Sequence, residues 1–359
     1  MTRLLLSGYY GYGNAGDEAV LAGLVRGFRQ SAEADSLELT VLSGDPARTE
    51  LEHGIRAVDR YTVPTLWREI RRTDLFLSGG GSLLQDVTSA HGIFYYLGVV
   101  RLAQMLGKQT MFIAQGIGPL KLARSRRLVR SVANRLNAIT VRDPDSAQLL
   151  RDIGVTRPAM EVTGDPALLL EAPPRSADGS TSAFGVALRP WPGQDSLPDI
   201  VADACRTVLG GHRALLLPMQ PGPDRPVAEQ FARSWRQGLG NQNRDTLCSP
   251  ERGLDPLLAN IAGCEMVVGM RLHALILAAA AGVPSVALSY DPKVAAFMRS
   301  CDQADAVWTV GQDSGEALVS LLARAWSERG ERATALSTAL PSLRAGARRN
   351  IETALTLVR

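Results

Sequence analysis

Aromatic residues are scarce in this chain, at 5% of 359 residues, and histidine and cysteine are rarer still, with four of each. Cys205, Cys248, Cys264 and Cys301 have neither metal-ligand spacing nor a CxxC pair, which argues for free thiols in a reducing compartment. Long apolar runs are missing as well: residues 274–283, among the longest, fall well short of the ~20 residues that span a bilayer. The start of the chain lacks the pattern of a signal peptide, because Arg3 is followed by a few strand formers and then glycines. Charge of one sign is not in excess either, since a net +3 from 39 basic and 36 acidic residues is too little to argue for nucleic acid. With 45% hydrophobic and 21% charged residues, what remains is an ordinary soluble, cytoplasmic protein long enough for two domains.

What is present is one phrase repeated: a short apolar strand, a glycine-containing loop, then a helix. Residues 3–9 feed GYGNAGDE and a helix to about Gln30, and residues 37–42 make a second strand. Residues 74–78 feed the loop GGGSLLQD and a helix over 91–106, while residues 110–114 feed QGIGP and a helix over 124–136. The strand at 138–141 leads to RDPDS, where Asp143 and Pro144 read as N-cap and first helical residue. At 171–182 the composition turns to Pro, Ser, Gly and Ala, the pattern of a linker. The phrase resumes with strands at 183–188, before RPWPG, and 214–217, before PMQPGPD. Alternation of this kind means parallel sheets covered on both faces. The expected fold class is α/β, with two Rossmann-like doubly wound domains facing a cleft (GT-B-like). The first domain is expected over 1–170 and the second over 183–340, with a C-terminal helix at 341–359 packing back on the first.

The stretch with most to say about chemistry is EMVVGMRLHALILAAAAGVPSVALSYDPK, residues 265–293. It reads as a buried strand at 265–269, an almost wholly apolar helix over 271–281 and a strand at 285–289, followed by Asp291 as N-cap and Pro292 as first residue of another helix. The apolar helix carries Arg271 and His273 in its first turn. A helix N-terminus already equals roughly half a positive charge, so a basic side chain beside it is disfavoured by about 0.3–1 kcal/mol unless an anion sits there. Lys293 opens the next helix, and both N-termini fall on the carboxyl edge of the sheet, where ligands of doubly wound folds bind. The alternative is that Arg271 pairs with a neighbouring carboxylate and His273 is a satisfied core residue.

Gly11, Gly13 and Gly16 match GxGxxG, yet Asp17 and Glu18 would stand where a pyrophosphate must sit, which speaks against a dinucleotide. Asn14, Asp17 and Glu18 suit a neutral polyol instead; Asp17 serves equally as a plain N-cap. Arg142 closes its strand toward the same edge, either for an anion or for Asp143 or Asp145. Lys121, Arg124, Arg126, Arg127, Arg130 and Arg135 form a basic helix face opposite Leu128, Val132 and Leu136, either solvated or set against an anionic membrane.

Together, GNAGDEA, GGGSLLQD, QGIGP, VRDPDS and the stretch GMRLHALILAAAAGVPSVALSYDPK resemble the polysaccharide pyruvyl transferases, most closely those of the CsaB type. The resemblance implies a GT-B-like enzyme that moves pyruvyl from phosphoenolpyruvate to a sugar with release of phosphate. In the CsaB type the acceptor is a lipid-linked saccharide containing N-acetylmannosamine, and the product is a cyclic ketal that supports S-layer anchoring. Carried over by motif, phosphoenolpyruvate contacts fall on Arg142, Arg271, Leu272, His273 and Lys293, Arg142 coming from the first domain. The acceptor side is expected on the first domain at Gly13, Asn14, Asp17, Gly81 and Ser82. His273 is the expected acid and Asp17 or Glu18 the base. No cofactor or metal is expected, phosphoenolpyruvate being a co-substrate, and the expected location is the cytoplasm, with peripheral contact at the inner face of the membrane. Two further readings are a GT-B glycosyltransferase using a nucleotide sugar, disfavoured by the lack of an acidic residue over 274–281, and a noncatalytic binding protein.

Overall fold

The computed structural model describes residues 1–86, 90–173, 182–237, 245–247 and 253–359. Most of the expected linker, 174–181, and Cys248 therefore lie outside the described residues. The chain divides into two units: 1–12, 17–170 and 344–359 form the first, while 13–16 and 171–343 form the second.

The first unit contains the strands β1 (Thr2–Ser7), β2 (Leu37–Ser43), β3 (Arg56–Asp59), β4 (Leu75–Leu84), β5 (Gln109–Ile117), β6 (Ala138–Val141) and β7 (Ala159–Val162). Its helices are α1 (Ala15–Arg29), α2 (Pro46–His53), α3 (Val63–Arg72), α4 (Ala90–Met105), α5 (Ala123–Ala133) and α6 (Pro144–Asp152). All strand pairs are parallel and run in the order β3-β2-β1-β4-β5-β6-β7. The central strands are apolar on both faces because helices cover both, and Leu5, Phe76, Phe112 and Ile139 share one core with Ile93 and Leu97 of α4.

Two expected loops are partly strand: residues 115–117 of QGIGP end β5, and the second case is larger. The segment GGGSLL continues β4 beside β5, with Gly79 facing Ile113, Gly81 facing Gln115 and Leu84 facing Ile117. A Cβ on Gly79, where φ is +154°, would meet the Ile113 carbonyl oxygen at 2.0 Å, so glycine is what lets the strand run on instead of breaking it.

The second unit contains β8 (Ala183–Ala187), β9 (Arg213–Leu216), β10 (Asp245–Leu247), β11 (Cys264–Gly269), β12 (Ser285–Ser289) and β13 (Val307–Thr309). Its helices are α7 (Leu197–Leu209), α8 (Pro221–Arg236), α9 (Leu254–Ala262), α10 (Leu272–Ala280), α11 (Pro292–Ser300) and α12 (Gly315–Ser327). The sheet order is β10-β9-β8-β11-β12-β13, again wholly parallel. Both sheets thus wind outward in both directions from their first strand, with the order reversing between β1 and β4 and between β8 and β11. Such reversal points are where doubly wound sheets open a crevice at their carboxyl ends. Phe184, Phe231 and Trp235 anchor the second core, each burial contributing about 1.5–3 kcal/mol. Cys205, Cys264 and Cys301 are buried free thiols.

The last helix, α13 (Arg329–Thr356), changes unit at Arg344. From there Asn350, wholly buried, donates to the Gly164 carbonyl at 2.9 Å and accepts from the Thr163 hydroxyl at 2.8 Å, while Arg349 pairs with Glu161. Among the described residues, no helix is long and apolar enough to cross a membrane.

Candidate active site

In the second unit the loops after β8, β9, β11 and β12 bring their side chains to the carboxyl edge of the sheet. Arg271 follows β11 at its reversal point with β8: the Met270 N–H donates to the Ala187 carbonyl at 2.8 Å. It is the N-cap of α10 without a side-chain cap, so the first-turn N–H groups of Leu272 and His273 stand at the positions that precede the helical hydrogen-bond ladder. Leu272 itself packs its side chain on the core. After β12, Asp291 caps α11 by accepting from the Lys293 N–H at 2.9 Å, with Pro292 as the first helical residue. Local sequence chemistry alone sets that turn.

Arg271 has a carboxylate partner. Its Nε donates to Asp224 Oδ2 at 2.9 Å and its Nη2 to Asp224 Oδ1, while Asp224 also accepts from the Gln220 N–H at 2.9 Å. Asp224, in the first turn of α8, is wholly buried, and the Arg271 side chain is 15% exposed. The ion pair uses one edge of the guanidinium and leaves Nη1 outside it, so pairing and anion binding are compatible: the carboxylate aims the cation. His273 is half-buried, and residues 13–16, grouped with this unit, run against it. A Cβ on Gly16 would lie 2.3 Å from His273 Nδ1, and the Ala15 N–H donates to the Met219 carbonyl at 2.8 Å. Glycine is required there by the closeness of the ring.

Sequence reasoning missed two neighbours at this edge. Arg189, just beyond β8, donates through Nη1 to the Tyr290 hydroxyl at 3.1 Å, and its guanidinium lies over the rings of Tyr290 and Trp191 at 5.2 and 5.7 Å. RPWPG was legible as a loop after a strand, but nothing local marks its arginine as a site residue. Asp224 was equally invisible, since its partner is 47 residues away.

In the first unit Arg142 follows β6 and is buried. It pairs with Asp165, not Asp143 or Asp145, at 2.8 Å, and its Nη2 donates to the Ser82 hydroxyl at 2.8 Å. Asp143 instead caps α6 through the Ser146 N–H at 2.7 Å. Asp165 also accepts from the Ala167 N–H at 3.0 Å at the start of a 3-10 turn, the same Asp-Pro signal read at Asp143 and Asp291. Gly81 accepts from the Gln115 side chain at 2.9 Å, and a Cβ on it would stand 2.7 Å from Asp17 Oδ1. Asp17 is 8% exposed; the capping role falls to Asn14, whose Oδ1 accepts from the Gly16 N–H at 3.1 Å. Glu18 accepts from the Gly11 N–H at 2.9 Å and lies 3.3 Å from His53 Nε2, which makes it a brace for the glycine loop.

The fold also brings ligand atoms of Glu18, Glu52 and His53 within 4.8 Å of one another, although these residues form no metal motif in sequence. Glu52 pairs with Arg48 at 2.8 Å and His53 with Glu18 at 3.3 Å, so each of the three groups has a side-chain partner. The arginines and lysine of the α5 face are exposed. Arg126 donates to the Leu120 carbonyl at 2.8 Å and Arg135 to the Ser131 carbonyl at 2.6 Å.

A profile of the polysaccharide pyruvyl transferases matches residues 14–292. The amylovoran biosynthesis protein AmsJ of Erwinia amylovora is 19% identical, over 83% of this chain and 85% of its own length. Among solved structures, HepE of Anabaena in complex with UDP-glucose aligns with a TM-score of 0.67 at 14% identity, covering 100% of this chain and 99% of that one. A putative UDP-N-acetylglucosamine 2-epimerase from Listeria monocytogenes aligns with a TM-score of 0.66 at 14% identity, covering 98% and 95%. A glycosyltransferase from Rickettsia africae gives 0.64 at 11% identity, covering 100% and 99%. At these identities the structural likeness speaks for the GT-B-like fold alone.

Proposed function

The chain belongs to the polysaccharide pyruvyl transferase family, and from that premise we propose that it moves the pyruvyl group of phosphoenolpyruvate to two hydroxyls of one sugar, forming a cyclic ketal. The observation that carries this reading is the gathering of Arg271, His273 and Lys293 with two helix N-termini on one sheet edge. Phosphoenolpyruvate bears a phosphate and a carboxylate, and fixed positive charge of this kind suits both. The Leu272 N–H completes the proposed donor contacts of this unit, and Arg142 remains a proposed contact by family motif alone.

In the proposed reaction an acid protonates the methylene carbon, which makes the central carbon cationic. A sugar hydroxyl attacks that carbon and gives its proton to a base. The bond from the central carbon to the phosphate oxygen breaks, phosphate leaves, and a second hydroxyl of the same sugar closes the ring with loss of its proton. His273 supplies the proton or protonates the leaving phosphate, and the cations stabilise the charge as it develops on that phosphate. Asp17 or Glu18 is the proposed base. Gly13, Asn14, Gly81 and Ser82 complete the proposed acceptor side. The acceptor proposed is a lipid-linked cell-wall precursor containing N-acetylmannosamine, as in the CsaB type, handled at the inner face of the membrane, with a ketal that serves S-layer anchoring.

Calorimetric titration with phosphoenolpyruvate, beside a parallel titration with a UDP-sugar, tests the donor. Saturable phosphoenolpyruvate binding, with phosphate released when acceptor is added, is the expected result. Binding of the nucleotide sugar alone would replace this reading with nucleotide-dependent glycosyl transfer, against which α10 speaks by carrying no carboxylate for a donor ribose.

A further inference from the structure

Six of the chain's seven tyrosines, Tyr9, Tyr10, Tyr12, Tyr61, Tyr95 and Tyr96, belong to the first unit, although only 5% of the chain is aromatic. Four of them gather around one cation, and a fifth stacks on one of the four. Arg60, 2% exposed, donates through Nη1 to the Gly8 carbonyl at 2.7 Å. Its guanidinium lies 4.6 Å from the ring centre of Tyr95, 5.1 Å from Tyr96, 5.6 Å from Tyr12 and 5.7 Å from Tyr61. Tyr9 stacks on Tyr12 at 4.4 Å and 16°, the hydroxyls of Tyr12 and Tyr61 are 2.5 Å apart, and the Tyr95 hydroxyl donates to the Arg60 carbonyl at 2.8 Å. Contacts of this type, about 0.5–2 kcal/mol each, hold the rings in set orientations.

Tyr96 belongs to the core, but the other four rings reach the surface. Tyr61 is 64% exposed, and Tyr9, Tyr12 and Tyr95 are half-buried. The cation beneath is enclosed, so the surface offered outward is made of phenol rings and their hydroxyls. Asp17 is close by: after burial it is the next cause raising the phenol pKa of Tyr9 and of Tyr10. A carboxylate in that place repels a phosphate and accepts hydrogen bonds from hydroxyls.

We propose that the surface made by Tyr9, Tyr12 and Tyr61 beside Asp17 is a binding site for an uncharged pyranose ring, whose C–H face stacks on the tyrosines. This rests on the pyruvyl-transfer reading only in naming the sugar as the acceptor. A nucleobase also stacks on such rings, but its phosphates would face Asp17.

Saturation-transfer difference NMR of the full chain with the methyl glycosides of N-acetylmannosamine, glucose and galactose, each challenged with uridine monophosphate, tests the site. At least one glycoside should give a ring-proton signal that uridine monophosphate leaves intact. In Tyr61→Leu and Tyr12→Leu that signal should fall at least about fivefold, while Tyr61→Phe, which keeps the ring, retains it. Phosphoenolpyruvate binding by calorimetry should be unchanged in all three variants. Silence from every glycoside, a full signal in both leucine variants, or displacement by uridine monophosphate overturns the proposal. Sugar binding that persists where phosphoenolpyruvate fails to bind the wild type would sink pyruvyl transfer and leave this site standing.

Discussion

At the carboxyl edge of the first unit's sheet stand tyrosines around an enclosed arginine and the carboxylates Asp17 and Glu18, whereas the same edge of the second unit carries Arg189, Arg271, His273 and Lys293. Both sheets have the same winding and the same reversal point beside their first strand. Topology therefore decides only where the variable loops arrive, and side-chain type decides what stands there: phenol rings and carboxylates in one unit, cations beside helix N-termini in the other. Two arginines make the contrast sharper. Arg60 is enclosed by rings and faces a carbonyl, while Arg271 is aimed by a carboxylate that occupies only one edge of its guanidinium.

The strongest way to break this contrast is Arg271→Ala. It should abolish measurable phosphoenolpyruvate binding and also lower stability by about 3–5 kcal/mol, because Asp224 is left as an unpaired charge in the interior. Urea unfolding and calorimetry read the two effects separately. Combining Arg271→Ala with Asp224→Ala should return much of the stability but none of the binding; restored binding would mean that the second unit's edge does not owe its anion affinity to this arginine.

A smaller effect is expected from His273→Asn. Turnover should fall about 100-fold, the scale of a lost general acid, with the urea midpoint within error of wild type. Undiminished turnover would remove the imidazole from the chemistry and leave it a positioning group.

The smallest effect belongs to the first unit. In Gly81→Ala the new methyl would stand 2.7 Å from Asp17 Oδ1 and must displace it. The acceptor KM should rise about tenfold while phosphoenolpyruvate affinity is unchanged, since misplacing one positioned group costs on that order or more. Equal changes toward both substrates would show that the two edges do not divide the labour as described.

Much of this was readable before any fold was available, and what was readable is local. Asp-Pro pairs announced the caps of α6 and α11, because an aspartate that accepts from an N–H two or three residues on needs nothing from elsewhere in the chain. The period of the apolar residues announced parallel sheets and helices on both faces. The GGGSLL segment was misread as loop for an equally clear reason: glycine is a turn signal by propensity, and only the close approach of β5 turns it into a strand requirement. The strands β3 and β7 went unread because RAVD and AMEV mix charged residues with apolar ones, whereas β6, of the same length, is AITV.

The sequence by itself determined the repeating strand and helix units, the cations at the start of α10 and α11, and the shortage of other chemistry that narrows the reading to them. Tertiary structure decided the partners. Asp165 meets Arg142 across 23 residues, Asp224 meets Arg271 across 47, and Tyr12 reaches Tyr61 across 49. Pairings at such separations are set by which strands lie side by side in the sheet, and no local propensity records that.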